Sequence, residues 1–187
     1  MNLANKFSIV RLLLTPIFVL AVLYYREGHL FFANLPLVIF LIAVITDAID
    51  GFIARRYNQT TPLGIVLDPL ADKLLLIVAF ITLSFTETIS PQLRIPPWVL
   101  IIVLTRDIFI LIGASIIYMV FEYIEFKPSM LGKITTFFQM ATILSVFLRF
   151  RYSYIIWTAA AIFTVMSGIH YLLRTSRILN GKFKRTV

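Results

Sequence analysis

Cysteine is absent from the 187 residues, and acidic side chains are scarce, with nine aspartates and glutamates in all. Without cysteine the chain has neither a disulfide framework nor a thiolate metal site. The two histidines, His29 and His170, are isolated from each other in the sequence, and we assign neither to chemistry. Any metal site must therefore use oxygen ligands.

The chain is rich in apolar residues instead. Hydrophobic residues make up 60% of it and charged residues 14%, and the mean hydropathy is +0.94. These values lie outside the range of soluble domains and predict an integral membrane protein. Helices are expected because backbone polar groups in lipid must be satisfied within the segment. The fold class is therefore expected to be all-α.

Apolar windows of about 20 residues, the length that crosses about 30 Å of hydrocarbon, recur along the chain. They predict six transmembrane helices, near residues 7–25, 31–55, 62–86, 97–121, 129–149 and 153–175. The first window lacks a small-residue cleavage site, so we interpret it as a retained span and not as a signal peptide. No repeat or long linker is visible, and we expect a single membrane-embedded catalytic domain over residues 1–187.

The basic residues favour one side of the membrane. An even number of spans places both termini on one face with the loops after the second and fourth spans. That face collects Lys6, Arg11, Arg55, Arg56, Lys127, Lys133, Arg174, Arg177, Lys182, Lys184 and Arg185, whereas the other has Arg26, Arg94, Arg149 and Arg151. The termini are thus expected in the cytoplasm. Nucleic acid is not an expected partner, because the cations flank membrane spans and form no separate basic domain.

Four of the nine acidic residues fall within one short stretch, DAIDGFIARRYNQTTPLGIVLDPLADK, residues 47–73. Asp47 and Asp50 are three residues apart near the end of the second span, and Asp68 and Asp72 are four apart at the start of the third. Each pair therefore shares a helix face. A short turn makes the two helices antiparallel neighbours, so we expect the four carboxylates to converge near the cytoplasmic boundary. An uncompensated carboxylate at depth costs at least about 2.5–3.5 kcal/mol, which calls for a cationic partner.

Oxygen-only ligation favours a hard cation, Mg²⁺, Mn²⁺ or Ca²⁺. Four carboxylates can hold two such ions about 3.5–4 Å apart, an arrangement that stabilises attacking and leaving oxygens on phosphorus. Gly51 and Ala54 share the helix face of the first two aspartates, and Gly64 lies one turn before Asp68. These small residues leave volume in which a ligand could enter. Arg55 could contact a phosphate through two hydrogen bonds.

The same residues also have simpler interpretations. The aspartates could be helix caps or ion-pair partners of Arg55, Arg56 and Lys73. The glycines could serve close helix packing alone. A divalent-cation transporter would likewise need intramembrane carboxylates, although a guanidinium beside a cation path argues against it. A structural membrane subunit is a third class.

Arg106 and Asp107 lie about nine residues into the fourth predicted span, where charge is costly without partners. They could pair with other polar groups and hold helices together. Alternatively they could line a pocket for a substrate, together with Lys133, Thr135 and Gln139 of the fifth span. Arg174 or Arg177 could close that pocket from the sixth. Lys133 could equally be an interfacial anchor.

The acidic stretch matches the signature DxxDGxxARx8GxxxDxxxD at every fixed position, and the chain thereby resembles the CDP-alcohol phosphatidyltransferase family. The segments NKFSIVRLLLTPIFVL, RIPPWVLIIVLTRD and LGKITTFFQM are also similar to that family. The resemblance implies a bundle of six transmembrane helices that transfers the phosphatidyl group of CDP-diacylglycerol to an alcohol and releases CMP. It further implies a homodimer in a bacterial inner membrane, with the active site toward the cytoplasm.

The resemblance also implies roles for individual residues. Two divalent cations, Mg²⁺ or Mn²⁺, would be held by Asp47, Asp50 and Asp68, with Asp72 as general base and possible further ligand. The CDP moiety would be bound by Gly51, Ala54, Arg55 and Gly64. Arg106 and Lys133 are candidates for binding the acceptor alcohol.

The acceptor alcohol is predicted from the resemblance to one branch of this family. The chain is most similar to the branch that makes phosphatidylglycerophosphate from glycerol 3-phosphate, and Arg106 with Lys133 would suit that phosphate. That branch typically has Arg-Glu here and another arginine eight residues on, whereas this chain has Asp107 and Ala114. An Arg-Asp pair followed by Gly-Lys is also similar to cardiolipin synthases that use phosphatidylglycerol. Glycerol 3-phosphate is our first expectation and phosphatidylglycerol the second.

Overall fold

The computed structural model describes the backbone of residues 3–25, 34–46, 62–121 and 129–183, and the side chains of 9–25, 34–46, 73–113, 129–174 and 176. Within these residues all regular structure is helical and no strand occurs. The helices are α1 Leu3–Leu23, α2 Asn34–Thr46, α3 Pro62–Phe85, α4 Pro97–Phe121, α5 Met130–Phe147 and α6 Ser153–Phe183. The predicted all-α class is confirmed over the described part of the chain.

Local sequence explains where several helices begin. Helices α3 and α4 start at Pro62 and Pro97, and proline suits the first helical position because its missing N–H would have no partner there. Ser129 precedes α5, and its Oγ accepts a hydrogen bond from the Gly132 N–H at 3.0 Å. This N-cap satisfies one of the free donors of the first turn.

Helix α5 ends in a C-terminal cap, and α6 begins within a few residues of it. Arg149 adopts a positive φ of 51°. The Phe150 N–H donates to the Ser145 carbonyl at 2.9 Å and the Arg149 N–H donates to Val146 at 3.1 Å, the pair of bonds of a Schellman motif. The Ser153 N–H then bonds to the Phe150 carbonyl at 3.0 Å as α6 begins. The turn therefore reverses the chain within a few residues although its left-handed position carries no glycine.

Two helices among the described residues are long and apolar enough to cross a membrane: α5, and α6 over Ser153–Arg174. These match the fifth and sixth predicted spans. Shorter apolar helical stretches run over Ile9–Leu23, Asn34–Thr46 and Lys73–Phe85. Helix α6 continues to Phe183, beyond the predicted end of its span at 175, because polar residues extend a helix without extending its apolar part.

The chain falls into two compact units, the first comprising Met1–Pro96 with Ile143–Ser153. In this unit α1 contacts α3, and the core is aromatic. The fully buried Phe18 lies 6.1 Å from Phe40 and 5.9 Å from Phe147, measured between ring centroids. Thr88, after α3, donates a hydrogen bond to the Val22 carbonyl at 3.0 Å. Aromatic pairs of this kind each add about 0.5–1.5 kcal/mol to simple burial.

The second unit comprises Pro97–Thr142 with Tyr154–Val187. Its core contains polar residues of α5 that are spaced four and three apart, Thr135, Gln139 and Thr142, all fully buried. The Thr135 hydroxyl lies 2.8 Å from the Leu131 carbonyl and 3.0 Å from the Phe163 carbonyl, which joins α5 to α6. Phe138 stacks on Phe163 at 4.8 Å. Polar contacts of this kind can hold helices together in lipid, where burying apolar side chains between helices gives no hydrophobic gain.

Candidate functional site

The second half of the acidic motif lies on the first turns of α3. Gly64, Asp68 and Asp72 are all within the helix Pro62–Phe85, at intervals of four residues. This spacing places the three positions on one helix face, with Asp68 and Asp72 separated by about 6 Å along the axis. The predicted shared face of Asp68 and Asp72 is therefore consistent with the described backbone.

The first half of the motif lies outside the described residues. This applies to the ligand candidates Asp47 and Asp50, and to the CDP-site candidates Gly51, Ala54 and Arg55. Helix α2 is described up to Thr46, immediately before the motif begins. Among the described side chains no group of three potential metal ligands occurs. The convergence of four carboxylates remains a prediction.

The donor set of the motif nevertheless suits a hard divalent cation. All four acidic residues offer carboxylate oxygens, and the motif contains neither histidine nor cysteine. Such a set favours Mg²⁺ or Mn²⁺ over softer metals.

Arg106 is the best-defined charged residue of the second unit. Its side chain is 8% exposed, and Nη1 donates to Oδ1 of Asp107 at 2.7 Å. Its Nη2 donates to Oγ of Ser167 on α6, also at 2.7 Å. The sequence predicts that these two residues either pair with other polar groups or line a pocket; Arg106 is observed to bond to a polar group of another helix, Ser167, and also to its own neighbour Asp107. The hydrogen bond to Ser167 links α4 to α6, and the ion pair with Asp107 balances the charge of the guanidinium.

Two glycines let the helices approach this arginine. A Cβ placed on Gly132 of α5 would lie 3.5 Å from Nη2 of Arg106. A Cβ on Gly168 of α6 would lie 3.6 Å from its Cγ. The guanidinium and its stem therefore run against backbone on two neighbouring helices. Arg106 Nε is buried and has no hydrogen-bond partner.

The remaining acceptor candidates divide between buried and exposed positions. Gln139 is fully buried, and neither its Oε1 nor its Nε2 has a hydrogen-bond partner. Thr135 is fully buried and bonded to backbone carbonyls. Lys133 and Arg174 have exposed side chains, and the side chain of Arg177 lies outside the described set. The described contacts bring Arg106 to Asp107, Ser167 and Gly132.

Ser167 and Gly168 are the residues of this cluster that the sequence analysis did not single out, and Gly132 entered it only as part of the Gly-Lys pair. Small residues are common at contacts between membrane helices, so they carry little signal by themselves. Gly168 follows Ser167 directly, and Gly132 precedes Lys133. A charged residue deep in an apolar helix predicts a polar partner, but it does not tell which serine on another helix supplies it.

The fold and the motif can be set beside known proteins. The sequence model of the CDP-alcohol phosphatidyltransferase family matches residues 1–166. The chain is 36% identical over 146 residues to the CDP-diacylglycerol--glycerol-3-phosphate 3-phosphatidyltransferase of Aquifex aeolicus (strain VF5), which covers 78% of this chain and 75% of that protein. It is 32% identical to the protein of the same name from Bacillus subtilis (strain 168), over 91% of this chain and 93% of that one.

A relative named for a different product is also similar. The cardiolipin synthase (CMP-forming) of Rattus norvegicus is 27% identical over 209 residues, which covers 97% of this chain and 65% of that protein. The family model spans most of the chain, including every residue of the acidic motif. The chain therefore belongs to the CDP-alcohol phosphatidyltransferase family.

Proposed function

We propose that this enzyme transfers the phosphatidyl group of CDP-diacylglycerol to glycerol 3-phosphate, giving phosphatidylglycerophosphate and CMP. The observation that carries the proposal is the complete acidic motif in a chain that aligns with bacterial relatives named for this acceptor, at 32–36% identity. Membership of a transferase family argues against the alternative of a divalent-cation transporter.

The reaction is a displacement at the phosphorus that carries the diacylglycerol. A hydroxyl oxygen of the acceptor forms a bond to that phosphorus, and the bond from phosphorus to the oxygen shared with CMP breaks. CMP leaves with that oxygen, and the acceptor proton passes to a base. Asp72 is our candidate for the base, since a carboxylate in reach of the attacking hydroxyl can accept its proton.

The other motif residues would bind and orient the nucleotide. Asp47, Asp50, Asp68 and Asp72 would hold two divalent cations, Mg²⁺ or Mn²⁺, which when bound stabilise negative charge on the phosphates. Gly51, Ala54 and Gly64 would leave space for the CDP moiety, because none of them has a side chain larger than methyl. Arg55 would contact a phosphate oxygen.

Arg106 is our candidate for the phosphate of the acceptor, with Lys133 as a second cation. Support comes from two buried groups of the second unit that lack partners, Nε of Arg106 and the amide of Gln139. Buried polar groups without partners are uncommon in folded proteins and call for an explanation such as a bound ligand. A guanidinium presents two N–H groups in a fixed planar arrangement that matches two phosphate oxygens, whereas the donors of an ammonium have no such fixed geometry.

Phosphatidylglycerol is the second candidate acceptor. Asp107 and Ala114 stand where a glutamate and a further arginine are typical of synthases that use glycerol 3-phosphate. The similarity to a cardiolipin synthase agrees with this candidate. Because Asp107 neutralises Arg106 at 2.7 Å, the net positive charge available to a small dianion is reduced.

The membrane arrangement completes the proposal. We propose six spans in the bacterial inner membrane, with both termini and the active site facing the cytoplasm and two chains in a homodimer. The match of the family model to residues 1–166 runs through both compact units, which supports one catalytic domain over residues 1–187.

The acceptor can be tested directly with purified protein in bilayers that contain CDP-diacylglycerol and Mg²⁺ or Mn²⁺. Glycerol 3-phosphate, phosphatidylglycerol, inositol phosphate and serine are offered separately, and the lipid products are identified by mass spectrometry. We expect phosphatidylglycerophosphate and CMP in equal amounts with glycerol 3-phosphate. Cardiolipin from phosphatidylglycerol, with no product from glycerol 3-phosphate, would overturn the first choice in favour of the second.

A further inference from the structure

Ser167 of α6 is placed to hold the guanidinium of Arg106. Nη2 of Arg106 donates to the Ser167 hydroxyl oxygen at 2.7 Å, and Ser167 is 1% exposed. A short hydrogen bond from a charged donor is stronger than one between neutral groups. The bond crosses from α4 to α6, between residues that are 61 positions apart. The orientation of Arg106 therefore depends on a residue of another helix.

Two bonds to different nitrogens fix the plane of the guanidinium. Asp107 accepts from Nη1 at 2.7 Å, and Ser167 accepts from Nη2 at the same distance. With the bond to Asp107 alone, the planar group could still turn about that contact, whereas a second anchor on the other terminal nitrogen stops the rotation. Serine provides this anchor without adding a second negative charge beside the arginine. The guanidinium is thus held in one orientation within the second unit.

Backbone on two helices limits the remaining movement of Arg106. A Cβ on Gly132 of α5 would lie 3.5 Å from Nη2, and a Cβ on Gly168 of α6 would lie 3.6 Å from Cγ. Both distances are ordinary contacts, so the side chain runs directly beside these glycines. Gly168 follows Ser167 in the sequence. One turn of α6 therefore both contacts the stem of the arginine and anchors its tip.

One nitrogen of the guanidinium is not used by these anchors. Nε of Arg106 is buried and has no hydrogen-bond partner among the described residues. Nε and one terminal nitrogen form an edge of the guanidinium, and such an edge matches two oxygens of a phosphate. A fixed plane keeps this edge in one direction. Binding then costs less, because the side chain is already ordered before the ligand arrives.

We propose that Ser167 is a positioning residue for acceptor binding, which holds Arg106 so that the guanidinium edge with Nε faces the acceptor phosphate. The inference rests on the proposed role of Arg106 in binding that phosphate. It assigns Ser167 to the affinity for the acceptor and not to the chemical step, because Ser167 acts on the acceptor only through Arg106. Its loss should therefore raise KM for the acceptor and leave kcat nearly unchanged.

Substitutions at Ser167 separate the hydrogen bond from the packing. Ser167→Cys keeps nearly the same volume, but a thiol is a weak acceptor, so this change should release Nη2. Ser167→Ala removes the acceptor outright, and Ser167→Thr keeps a hydroxyl. Thr164→Val is the matched control, because Thr164 is also fully buried on α6 and its hydroxyl bonds to the Ala160 carbonyl of the same helix.

The experiment uses the purified full-length enzyme in bilayers with Mg²⁺. Formation of phosphatidylglycerophosphate is measured while glycerol 3-phosphate or CDP-diacylglycerol is varied, and the unfolding midpoint of each variant checks that it is folded. We expect Ser167→Ala and Ser167→Cys to raise KM for glycerol 3-phosphate roughly tenfold, with kcat and KM for CDP-diacylglycerol within about twofold of wild type. Ser167→Thr should return KM to within about threefold of wild type, and Thr164→Val should not change it.

Two patterns would overturn the inference while the proposed function stands. An unchanged KM for glycerol 3-phosphate in both Ser167→Ala and Ser167→Cys would show that Arg106 needs no anchor on α6. A raised KM in Ser167→Ala with a wild-type KM in Ser167→Cys would assign Ser167 to packing alone. A wild-type enzyme that makes no phosphatidylglycerophosphate from glycerol 3-phosphate would instead overturn the proposed function, and this inference with it.

Discussion

Two sets of charged residues in this chain differ in their net charge. The acidic motif of residues 47–72 contributes four aspartates within 26 positions, with Arg55 the only cation among its fixed residues. The pair on α4 contributes one charge of each sign, joined at 2.7 Å and buried. An excess of one sign at the membrane boundary calls for a bound ligand, whereas a neutral pair can serve helix packing alone. Charge balance therefore distinguishes the candidate metal site from the buried pair, which can hold helices together without a bound ion.

The largest expected effect is a loss of reaction rate when an aspartate of the motif is replaced. Asp72→Asn should lower the rate of CMP release by roughly 10²–10⁴-fold, because an amide cannot accept the acceptor's proton. Release of CMP from CDP-diacylglycerol measures this directly. Glu87→Gln is the matched control, since it makes the same chemical change at an exposed residue outside the motif and should leave the rate unchanged. An Asp72→Asn enzyme of wild-type rate would remove Asp72 from the role of base.

The next largest effect is expected on stability, when the ion pair of Arg106 and Asp107 is broken. Asp107→Ala should lower the free energy of unfolding by about 3–5 kcal/mol, because it leaves the buried Arg106 without its counter-charge. Replacing both residues, as in Arg106→Met with Asp107→Leu, should recover most of this loss. Unfolding by sodium dodecyl sulfate in mixed micelles measures both changes. If the double variant is as unstable as the single one, the two charges are not a self-contained pair.

The double variant also separates structure from binding. If Arg106 contacts the acceptor as proposed, the double variant should be stable and yet have a raised KM for glycerol 3-phosphate. An unchanged KM would assign Arg106 to helix packing alone.

A smaller effect is expected at Ser167. Ser167→Ala removes the hydroxyl that accepts from Nη2 of Arg106 at 2.7 Å, which should cost about 1–3 kcal/mol of unfolding free energy. Thr164→Val is a suitable control, since the Thr164 hydroxyl bonds only within its own helix. A Ser167→Ala loss no larger than that of the control would show that this hydrogen bond does not stabilise the contact of α4 with α6.

The smallest effect is expected at Gln139, whose buried amide has no hydrogen-bond partner. Gln139→Leu should leave stability unchanged or raise it by up to about 2 kcal/mol, because it removes an unsatisfied amide. Gln139→Glu, which keeps the size and adds a buried charge, should instead destabilise the protein. Thermal unfolding in detergent distinguishes the two. A clear loss of stability in Gln139→Leu would mean that the amide has a partner in the folded protein.

Much of the helical framework could be predicted from sequence. Pro62 and Pro97 mark helix starts because proline fits the first turn, and the apolar windows at 129–149 and 153–175 correspond to α5 and to the apolar part of α6. The end of α6 at Phe183 could not be predicted from hydropathy, because a helix can continue into water where its polar residues are solvated.

Of the candidate site residues, too, some could be predicted from the sequence and others could not. The acidic motif could be identified because eight positions carry fixed residues at fixed spacing, and the convergence of its carboxylates stays a prediction. The partners of Arg106 could not, because Ser167 is 61 residues away and serines on apolar helices usually bond to their own backbone. Lys133 and Thr135 were grouped by sequence proximity, yet one is exposed and the other fully buried, since residues two apart lie on nearly opposite sides of a helix.

The central claim, that the acidic motif binds divalent cations, is tested most directly by titrating Mn²⁺ into the purified enzyme and following bound ions by electron paramagnetic resonance. The account predicts about two spin-coupled Mn²⁺ per wild-type chain, as in two-metal sites, and a clear loss in Asp68→Asn but not in Glu87→Gln. A wild-type chain that binds no Mn²⁺ at saturating concentration, while still folded, would contradict it.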